Sequence, residues 1–305
     1  MNSIDTLADA LVAHHVEMTA GEPLSPTQAK HAADALLPSE QASVMQACRR
    51  LGFIERDAQC VAQAWKRQTQ RTGRFDPKAW PDQPEDFGLR AWPRSDAFPP
   101  CPQQLGLYAV LPDAAWVGRM AQAGVPTVQL RFKSDDPIAV RREIEAAVRA
   151  VEGTTSLLFI NDHWQEAIEA GAYGLHLGQE DLADAPLEQI RASGIRLGVS
   201  THGYAEMVLA DQASPSYLAL GAVYPTTLKR MATAPQGTGR LQAYARLMRH
   251  YPLVAIGGID LEKLPAVMTS GVGSVAVVRA ITSAEQPEQA AETFIRALGS
   301  GKAEK

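Results

Sequence analysis

Residues 127–162, TVQLRFKSDDPIAVRREIEAAVRAVEGTTSLLFIND, contain two short apolar runs separated by an amphipathic segment. The runs TVQLRF (127–132) and SLLFIN (156–161) are nearly continuously apolar, which is typical of strands in a parallel sheet covered by helices. The segment between them, PIAVRREIEAAVRAV, repeats its apolar side chains at helical spacing. This stretch therefore predicts a β-α-β unit, in which one helix connects two parallel strands.

The same alternation of strand and helix extends over residues 105–298. Six further runs resemble the first two: LGLYAVL (105–111), YGLHLG (173–178), RLGVS (196–200), YLALGAVY (217–224), LVAIGGI (253–259) and SVAVVRAI (274–281). Amphipathic segments lie between them, several closed by glycine. Eight β-α units predict an α/β fold of the (β/α)8 TIM-barrel class. A doubly wound open sheet is the alternative, but it would normally have fewer strands and a glycine-rich first turn.

The chain before the barrel divides into two parts. Residues 1–76 have helical patterns: Ser25-Pro26 and Ser39 have the signatures of helix starts, and another helical run follows over residues 56–72. Residues 77–104 are rich in proline and predict an extended connector. Its aromatic side chains indicate that it is docked on another surface: Trp80, Phe87, Trp92 and Phe98. Because the barrel already has eight units, we expect residues 101–305 to fold alone, with 299–305 as a tail.

Composition excludes several classes of protein. The chain has 305 residues, 46% of them hydrophobic, and a net charge of −5, so no global charge favours nucleic acid or an anionic membrane. The basic stretch from Arg49 to Lys78 has no recognition motif and is interpreted as a solvated helix surface rather than a nucleic-acid face. No targeting segment or membrane span is visible, and three cysteines at no metal-ligand spacing suit a reducing compartment. We expect a cytoplasmic protein.

In such barrels the reactive groups follow the carboxyl ends of the strands. After the second strand, alternation places Gln129, Arg131 and Lys133 on one face, where two cations and an amide would meet an anion or a polar ligand. Their alternative role is pairing with nearby acids at the rim. Asp162 and Asp181 follow the third and fourth strands, and two carboxylates there suit Mg²⁺ held together with substrate phosphates and water. Asp162 alone could equally cap the next helix.

The later strands predict a second anion-binding zone. Ser200 ends the fifth strand and could donate to a phosphate or cap a helix. A long loop follows the sixth strand, from Pro225 through Gly239, and loops of this length are usually lids or binding loops. The seventh and eighth strands end in Gly257-Gly258 and Val278-Arg279, where this fold commonly binds phosphate. Two phosphorylated ligands, one of them a diphosphate, would fill such a site.

Seven ordered motifs resemble the thiamine phosphate synthase family. They are QLRFK, FIND, YGLHLGQEDL, LGVSTH, the stretch from ALGAVYPT to APQG, VAIGGI and VAVV, and they span the whole barrel at 105–298. The resemblance implies a transferase of thiamine biosynthesis. It would join 4-amino-2-methyl-5-(diphosphooxymethyl)pyrimidine to 4-methyl-5-(2-phosphoethyl)thiazole and release pyrophosphate from these two small-molecule substrates.

The resemblance also implies roles for individual residues. Mg²⁺ would be bound by Asp162 and Asp181. The pyrimidine diphosphate would contact Gln129, Arg131, Lys133, Asn161, His176, Ser200 and Lys229. The thiazole phosphate would contact Thr226, Thr227, the Gly257-Gly258 turn, Val278 and Arg279. Of these, Arg131, Lys133, Ser200 and Lys229 would stabilise charge during catalysis. The chemistry requires alignment and charge stabilisation more than a nucleophile, in agreement with the lack of a Ser–His–Asp or Cys–His pattern.

Two positions depart from the family pattern. Leu228 stands where the family usually has the second threonine of Thr-x-Thr-Lys, and Arg279 stands where it tends to have serine. Arg279 could bind a phosphate with two parallel hydrogen bonds or crowd it. Two alternative functions remain: a thiazole tautomerase, and a non-catalytic, phosphate-ligand-binding regulatory homologue that works through residues 1–100. The role of those residues and assembly into a homo-oligomer stay open.

Overall fold

A computed structural model of the chain describes residues 3–226 and 233–300. Over these residues, eight parallel strands close into one barrel in chain order. The strands are β1 (Gly106–Leu111), β2 (Thr127–Leu130), β3 (Leu157–Asn161), β4 (Gly174–Leu177), β5 (Arg196–Thr201), β6 (Tyr217–Leu220), β7 (Leu253–Ile256) and β8 (Ser274–Val277). The predicted TIM-barrel class is confirmed, and closure between β1 and β8 excludes the open sheet.

Helices precede and surround the barrel. Before β1 lie α1 (Ser3–His14), α2 (Ser39–Arg50), α3 (Glu55–Thr72) and α4 (Pro84–Phe87). Around the barrel lie α5 (Ala114–Gln122), α6 (Pro137–Ala150), α7 (Trp164–Glu169), α8 (Gln179–Asp184), α9 (Leu187–Ala192), α10 (Tyr204–Ala213), α11 (Gly237–Leu247), α12 (Leu264–Met268), α13 (Arg279–Thr282) and α14 (Pro287–Ser300). None of the helices in the described ranges is both long and apolar enough to cross a bilayer.

Local sequence explains where the barrel helices start. The Asp113 carboxylate accepts a hydrogen bond from the Trp116 amide at 2.8 Å and caps α5. Asp136 caps α6 in the same way through Ile138, and Pro137 occupies the first turn, where a missing N–H costs nothing. Each cap satisfies amides that the helix itself leaves unpaired, and so fixes the loop that precedes it.

Large aromatic side chains fill the barrel interior. Phe159 and Tyr217 are completely buried there. Glycines on the neighbouring strands make room for them: a Cβ at Gly174 would lie 2.2 Å from the Phe159 ring, and one at Gly198 would lie 2.1 Å from the Tyr217 ring. The interior is therefore a packed core rather than a channel, and ligands are left to the mouth.

The N-terminal helices are confirmed from residue 39 onward, but the helix start at Ser25-Pro26 is wrong. Ser25 and Gln28 do exchange the reciprocal hydrogen bonds of a capping box. The chain nevertheless makes only a turn there, followed by a short 3₁₀ helix (Ala32–Leu36). Between residues 25 and 37 only Ala29 and Asp34 are buried. A helix continued through this segment would have no apolar face to pack.

The proline-rich connector is docked on the barrel, as its aromatic residues indicated. Phe87 and Phe98 are buried, and the Trp80 indole N–H donates to the Tyr204 hydroxyl at 2.9 Å. Arg94 forms a buried ion pair with Asp211 of α10, with 2.6 Å between nitrogen and oxygen. The segment is irregular apart from the single turn of α4. One continuous apolar cluster includes side chains from both the N-terminal helices and the barrel.

Candidate active site

The carboxyl ends of β2, β3 and β4 bring three predicted site residues into adjacent positions. Gln129 is buried and its side-chain amide donates to Asn161 Oδ1 at 2.8 Å. Asn161 in turn lies opposite His176 in the register of β3 and β4. The three side chains thus form one row of hydrogen-bonding groups along the mouth of the barrel.

Lys133 and the two predicted metal ligands form a second group beside that row. The Lys133 ammonium donates to Asp162 Oδ2 at 2.9 Å. Asp162 has φ of 67°, a left-handed conformation that few non-glycine residues adopt. Burial raises the pKa of the Asp181 carboxyl, and the charge of Asp162 and a hydrogen bond to it raise that pKa further. A carboxyl group whose ionisation a neighbouring carboxylate opposes is one whose charged form a cation would stabilise.

The chemistry of these residues is compatible with Mg²⁺. Among the residues that the structure describes, no group of three or more His, Cys, Asp or Glu side chains could hold a metal ion. Two carboxylates alone leave most of an octahedral shell to other oxygens, and Mg²⁺ commonly takes these from water and substrate phosphates. The donor set therefore suits an ion that arrives with a diphosphate. The role of Asp162 and Asp181 as its ligands stays a prediction.

A chain of hydrogen bonds runs from the barrel core to Ser200. Tyr108 and Tyr217 share a hydrogen bond between their hydroxyls at 2.8 Å, and the Tyr217 hydroxyl lies 2.6 Å from His176 Nδ1. The other ring nitrogen of His176 lies 2.8 Å from Ser200 Oγ. Burial raises the pKa of Tyr217 well above its usual value, so this phenol keeps its proton. The chain holds the His176 ring and orients the Ser200 hydroxyl.

Sequence analysis missed Tyr108, Tyr217 and Gln179. The two tyrosines lie in apolar runs and look like ordinary core residues, although their inward-facing positions, when matched to His176, would have been a signal. Gln179 follows β4, and its amide donates to the Ser200 backbone carbonyl at 2.7 Å. Its other side-chain atom, Oε1, is buried and has no hydrogen-bond partner within the described part of the chain. Gln179 therefore adds an acceptor at the mouth and fixes the backbone of Ser200.

The two glycines after β7 support the loop after β6. Gly257 and Gly258 have φ of 107° and 63°, which only glycine adopts readily. A Cβ at Gly257 would lie 2.6 Å from the Ala222 backbone, and one at Gly258 would lie 2.5 Å from the Pro225 carbonyl oxygen. The pair is thus required by close packing as well as being suited to a phosphate. Of the predicted residues in that loop, Thr226 is described, while Thr227 and Lys229 lie outside the described residues.

Three further predicted residues, Arg131, Val278 and Arg279, lie at the same end of the barrel. Within the described part of the chain, we observe no side-chain hydrogen bond between them and the groups above. Arg131 follows β2 and is half-buried, and its amide donates to the Leu111 carbonyl at 2.8 Å. Val278 occupies the N-cap position of α13 without a side-chain cap, and Arg279 is the exposed first residue of that helix. Their positions at strand ends agree with the predicted substrate zone, and their roles stay predictions.

Similarity to known proteins extends over the whole barrel. Residues 107–281 match the family model of thiamine monophosphate synthase. The thiamine-phosphate synthase of Neisseria meningitidis serogroup B is 53% identical over 197 residues, which is 65% of this chain and 96% of that protein. The Klebsiella pneumoniae thiamine-phosphate synthase is 48% identical over 204 residues, covering 67% and 97%. The solved thiamine phosphate pyrophosphorylase from Pyrococcus furiosus has a TM-score of 0.57 and 25% identity, covering 65% and 96%.

A closed barrel with cationic, carboxylate and amide side chains at the carboxyl ends of its strands defines a (β/α)8-barrel enzyme that acts at that mouth. The family model matches more than half of the chain, and relatives about half identical in sequence are covered almost completely. The chain belongs to the thiamine monophosphate synthase family.

Proposed function

We propose that this chain makes thiamine phosphate from a pyrimidine diphosphate and a thiazole phosphate. The bond between the pyrimidinylmethyl carbon and the diphosphate oxygen breaks, and pyrophosphate leaves with the electron pair. The thiazole nitrogen then donates its lone pair to the resulting pyrimidinylmethyl cation. The observation that carries this proposal is the match of residues 107–281 to the thiamine monophosphate synthase family model. The contact of Lys133 with Asp162, close to Asp181, is compatible with a diphosphate and its metal ion.

Mg²⁺ bound by Asp162 and Asp181 would supply charge neutralisation for the departing pyrophosphate. The protein's own cations act on the same group. Lys133 reaches it from the end of β2, and Arg131 and Lys229 are proposed to bind its other oxygens. Ser200, whose hydroxyl His176 holds, would donate a hydrogen bond to the same group.

The row formed by Gln129, Asn161 and His176 would bind the pyrimidine ring. The amide groups of Gln129 and Asn161 already hydrogen-bond to each other, so their remaining donors and acceptors point in fixed directions. The neighbouring loops after β6, β7 and β8 would bind the thiazole phosphate, through Thr226, Thr227, the Gly257-Gly258 turn, Val278 and Arg279. The two zones would hold the thiazole nitrogen against the pyrimidinylmethyl carbon, and most of the rate enhancement would come from this alignment.

The alternatives explain fewer of these features. A thiazole tautomerase does not need a metal-diphosphate zone, and a regulatory homologue would not need a cation beside paired carboxylates. The retained Lys133, Asp162 and Asp181 therefore support a synthase. We also propose a cytoplasmic location, supported by Cys48, Cys60 and Cys101, which are all free thiols in the structure.

Pyrophosphate release measured with both precursors tests the function. We expect release only when the pyrimidine diphosphate, the thiazole phosphate and Mg²⁺ are all present. Release of thiamine phosphate should match release of pyrophosphate in amount. Conversion of a thiazole carboxylate isomer without pyrophosphate release would instead indicate a tautomerase, and binding without turnover would indicate a regulatory protein.

A further inference from the structure

The helices after β5 and β6 both begin against the N-terminal helical region. These two helices are α10, which follows the end of β5 where Ser200 lies, and α11, which follows the loop that begins after β6. Tyr204, the first residue of α10, stacks on Phe87 with 4.9 Å between ring centroids and accepts a hydrogen bond from Trp80. Both partners belong to the proline-rich connector, so the chain before the barrel contacts the start of α10.

Asp57 of α3 caps α10. The helix has Gly203 at its N-cap position, and no side chain of its own caps it. Asp57 Oδ1 accepts a hydrogen bond from the Ala205 amide at 2.8 Å instead. A Cβ at Gly203 would lie 2.1 Å from Asp57 Oδ2, so the glycine makes the space that the carboxylate occupies. Only His202 and Gly203 separate this cap from β5, at whose end Ser200 lies.

Arg240 ties the first turn of α11 to the N-terminal backbone. Its guanidinium is buried and donates to the carbonyl oxygens of Met18 at 2.9 Å and Leu51 at 2.9 Å. It also donates to Gln236 Oε1 at 2.9 Å and lies 3.6 Å from the centre of the Phe53 ring. Every nitrogen of this guanidinium thus has a partner, which is what keeps a buried cation stable.

Gln236 is the last residue before α11 and closes the loop after β6. Its backbone amide donates to the Ala222 carbonyl at 2.8 Å. This hydrogen bond joins the C-terminal end of the loop to its N-terminal end. Arg240 and the Tyr244 hydroxyl hold its side chain. The N-terminal backbone also packs directly on this helix start, because a Cβ at Gly239 would lie 1.9 Å from the Glu17 carbonyl oxygen.

We propose that the N-terminal helical region positions the substrate loops after β5 and β6, with Asp57 and Arg240 as the positioning residues. Asp57 fixes the short connection after β5, next to Ser200, by capping α10 from outside the barrel. Arg240 fixes the C-terminal end of the loop after β6 by holding Gln236. This inference rests on the proposed function, since it assigns those loops to substrate binding.

Variants of Asp57 test the part of the proposal that concerns the cap of α10. Asp57→Ala removes the cap. Because the free energy of a lost helix cap would appear in substrate binding, the KM for the pyrimidine diphosphate is expected to rise about fivefold. Asp57→Asn keeps an acceptor oxygen at the same place, so its KM should stay within about twofold of the wild type. Rescue by asparagine distinguishes a lost hydrogen bond from a general loss of packing.

Arg94→Met is the matched control. Arg94 is also buried and also ties the N-terminal half of the chain to α10, through Asp211 near the other end of that helix. This variant should lower the urea midpoint of unfolding and leave both KM values within about twofold of the wild type. Arg240→Met should raise both KM values. If this variant fails to fold, the comparison of Asp57→Ala, Asp57→Asn and Arg94→Met still tests the positioning role.

The wild type is assayed first, so that failure of the function is separated from failure of this inference. If the wild type releases no pyrophosphate, the proposed function fails, and the same variants are then compared by calorimetric binding of the pyrimidine diphosphate with Mg²⁺. Weaker binding or a higher KM for Asp57→Ala, but not for Asp57→Asn or Arg94→Met, supports the positioning role. Equal values in all three variants, with stability alone reduced, overturn it.

Discussion

The hydroxyl of Ser200 lies 2.8 Å from Nε2 of His176, at the end of a chain of hydrogen bonds that begins in the barrel core. The Tyr217 hydroxyl holds the opposite ring nitrogen at 2.6 Å. The orientation of the serine hydroxyl therefore depends on a phenol that is completely buried in the barrel core. A buried polar chain of this kind is sensitive to the loss of any one member.

Tyr217→Phe should weaken substrate binding as well as stability. It leaves His176 Nδ1 and the Tyr108 hydroxyl without their shared partner, at a cost of about 1–3 kcal/mol in the free energy of unfolding. We expect a higher KM for the pyrimidine diphosphate, measured by steady-state kinetics with that substrate varied. Tyr108→Phe is the control, because it keeps the contact between Tyr217 and His176. If both variants changed KM equally, the chain would not orient Ser200.

Activity should require Mg²⁺ through Asp162. A chelator should abolish pyrophosphate release and added Mg²⁺ should restore it, whereas Asp162→Asn should raise the Mg²⁺ concentration for half-maximal activity about tenfold or more. Glu169→Gln provides the control, since Glu169 at the end of α7 forms an exposed ion pair with Arg141 of α6. Full activity in excess chelator would remove the metal from the mechanism.

Arg279→Ser tests the least family-like residue of the site. A guanidinium at the start of α13 can form two parallel hydrogen bonds to a phosphate, and their loss should raise the KM for the thiazole phosphate about tenfold. The KM for the pyrimidine diphosphate should hardly change. Arg149→Ser, at an exposed position late in α6, controls for the lost charge. Tighter binding of the thiazole phosphate by Arg279→Ser would indicate that the arginine crowds the site.

The free energy of unfolding should depend on pH because of the Asp57 carboxyl. Burial raises the pKa of this carboxyl from 3.8 to about 6. The folded chain then binds the proton more tightly than the unfolded chain. Ionisation of Asp57 therefore lowers the free energy of unfolding as the pH rises from about 4 to about 6, and the full loss remains above that range. Asp57→Asn does not titrate. The stability of the wild type relative to this variant should fall by about 3 kcal/mol between pH 4 and pH 7, measured by urea unfolding.

A pH-independent difference between the two proteins, or one that grows in favour of the wild type as pH rises, would contradict a raised pKa. Asp136→Asn is the matched control, because Asp136 caps α6 from an exposed position. It measures the effect of replacing a capping carboxylate by an amide at an exposed helix start.

Removal of residues 1–100 should destabilise the barrel severely. The sequence led us to expect that residues 101–305 fold alone, but the packing argues against it. Truncation would leave the buried guanidinium of Arg240 without its carbonyl partners and would expose Tyr204, which is fully buried. We expect an insoluble or non-cooperatively unfolding fragment, measured by denaturant unfolding beside the full chain. A soluble, fully active fragment would show that the N-terminal region is dispensable.

The sequence predicts the barrel well because its signal is local. Each strand is an apolar run, and six of the eight end within three residues of the end of their run. The run of β8 extends to Ile281 but the strand stops at Val277, and the run of β6 extends to Tyr224 but the strand stops at Leu220. There the following residues hydrogen-bond across to the loop after β7, with the Tyr224 amide donating to the Gly257 carbonyl. That pairing depends on tertiary packing, which an apolar run does not encode.

Long-range contacts explain what the sequence does not predict. Ser200 and His176 are predicted because each lies near the carboxyl end of a strand, but Tyr217, whose hydroxyl contacts the other side of the His176 ring, looks like an ordinary core residue. Asp57 reads as an acid in the first turn of α3, where carboxylates are common, and its contact with Ala205 is 148 positions away. Nothing local distinguishes a solvated carboxylate from one that caps a distant helix.

The buried guanidinium of Arg240 has a consequence for how the chain is synthesised. The carbonyl of Leu51 that it binds leaves the ribosome 189 positions earlier. At ordinary rates of translation the N-terminal helices would wait about 10–40 s for α11. During that interval their aromatic surface, including Phe53 and Trp80, lacks the barrel residue Tyr204 that later packs on it. This apolar surface stays exposed on the nascent chain until translation has passed the sixth strand.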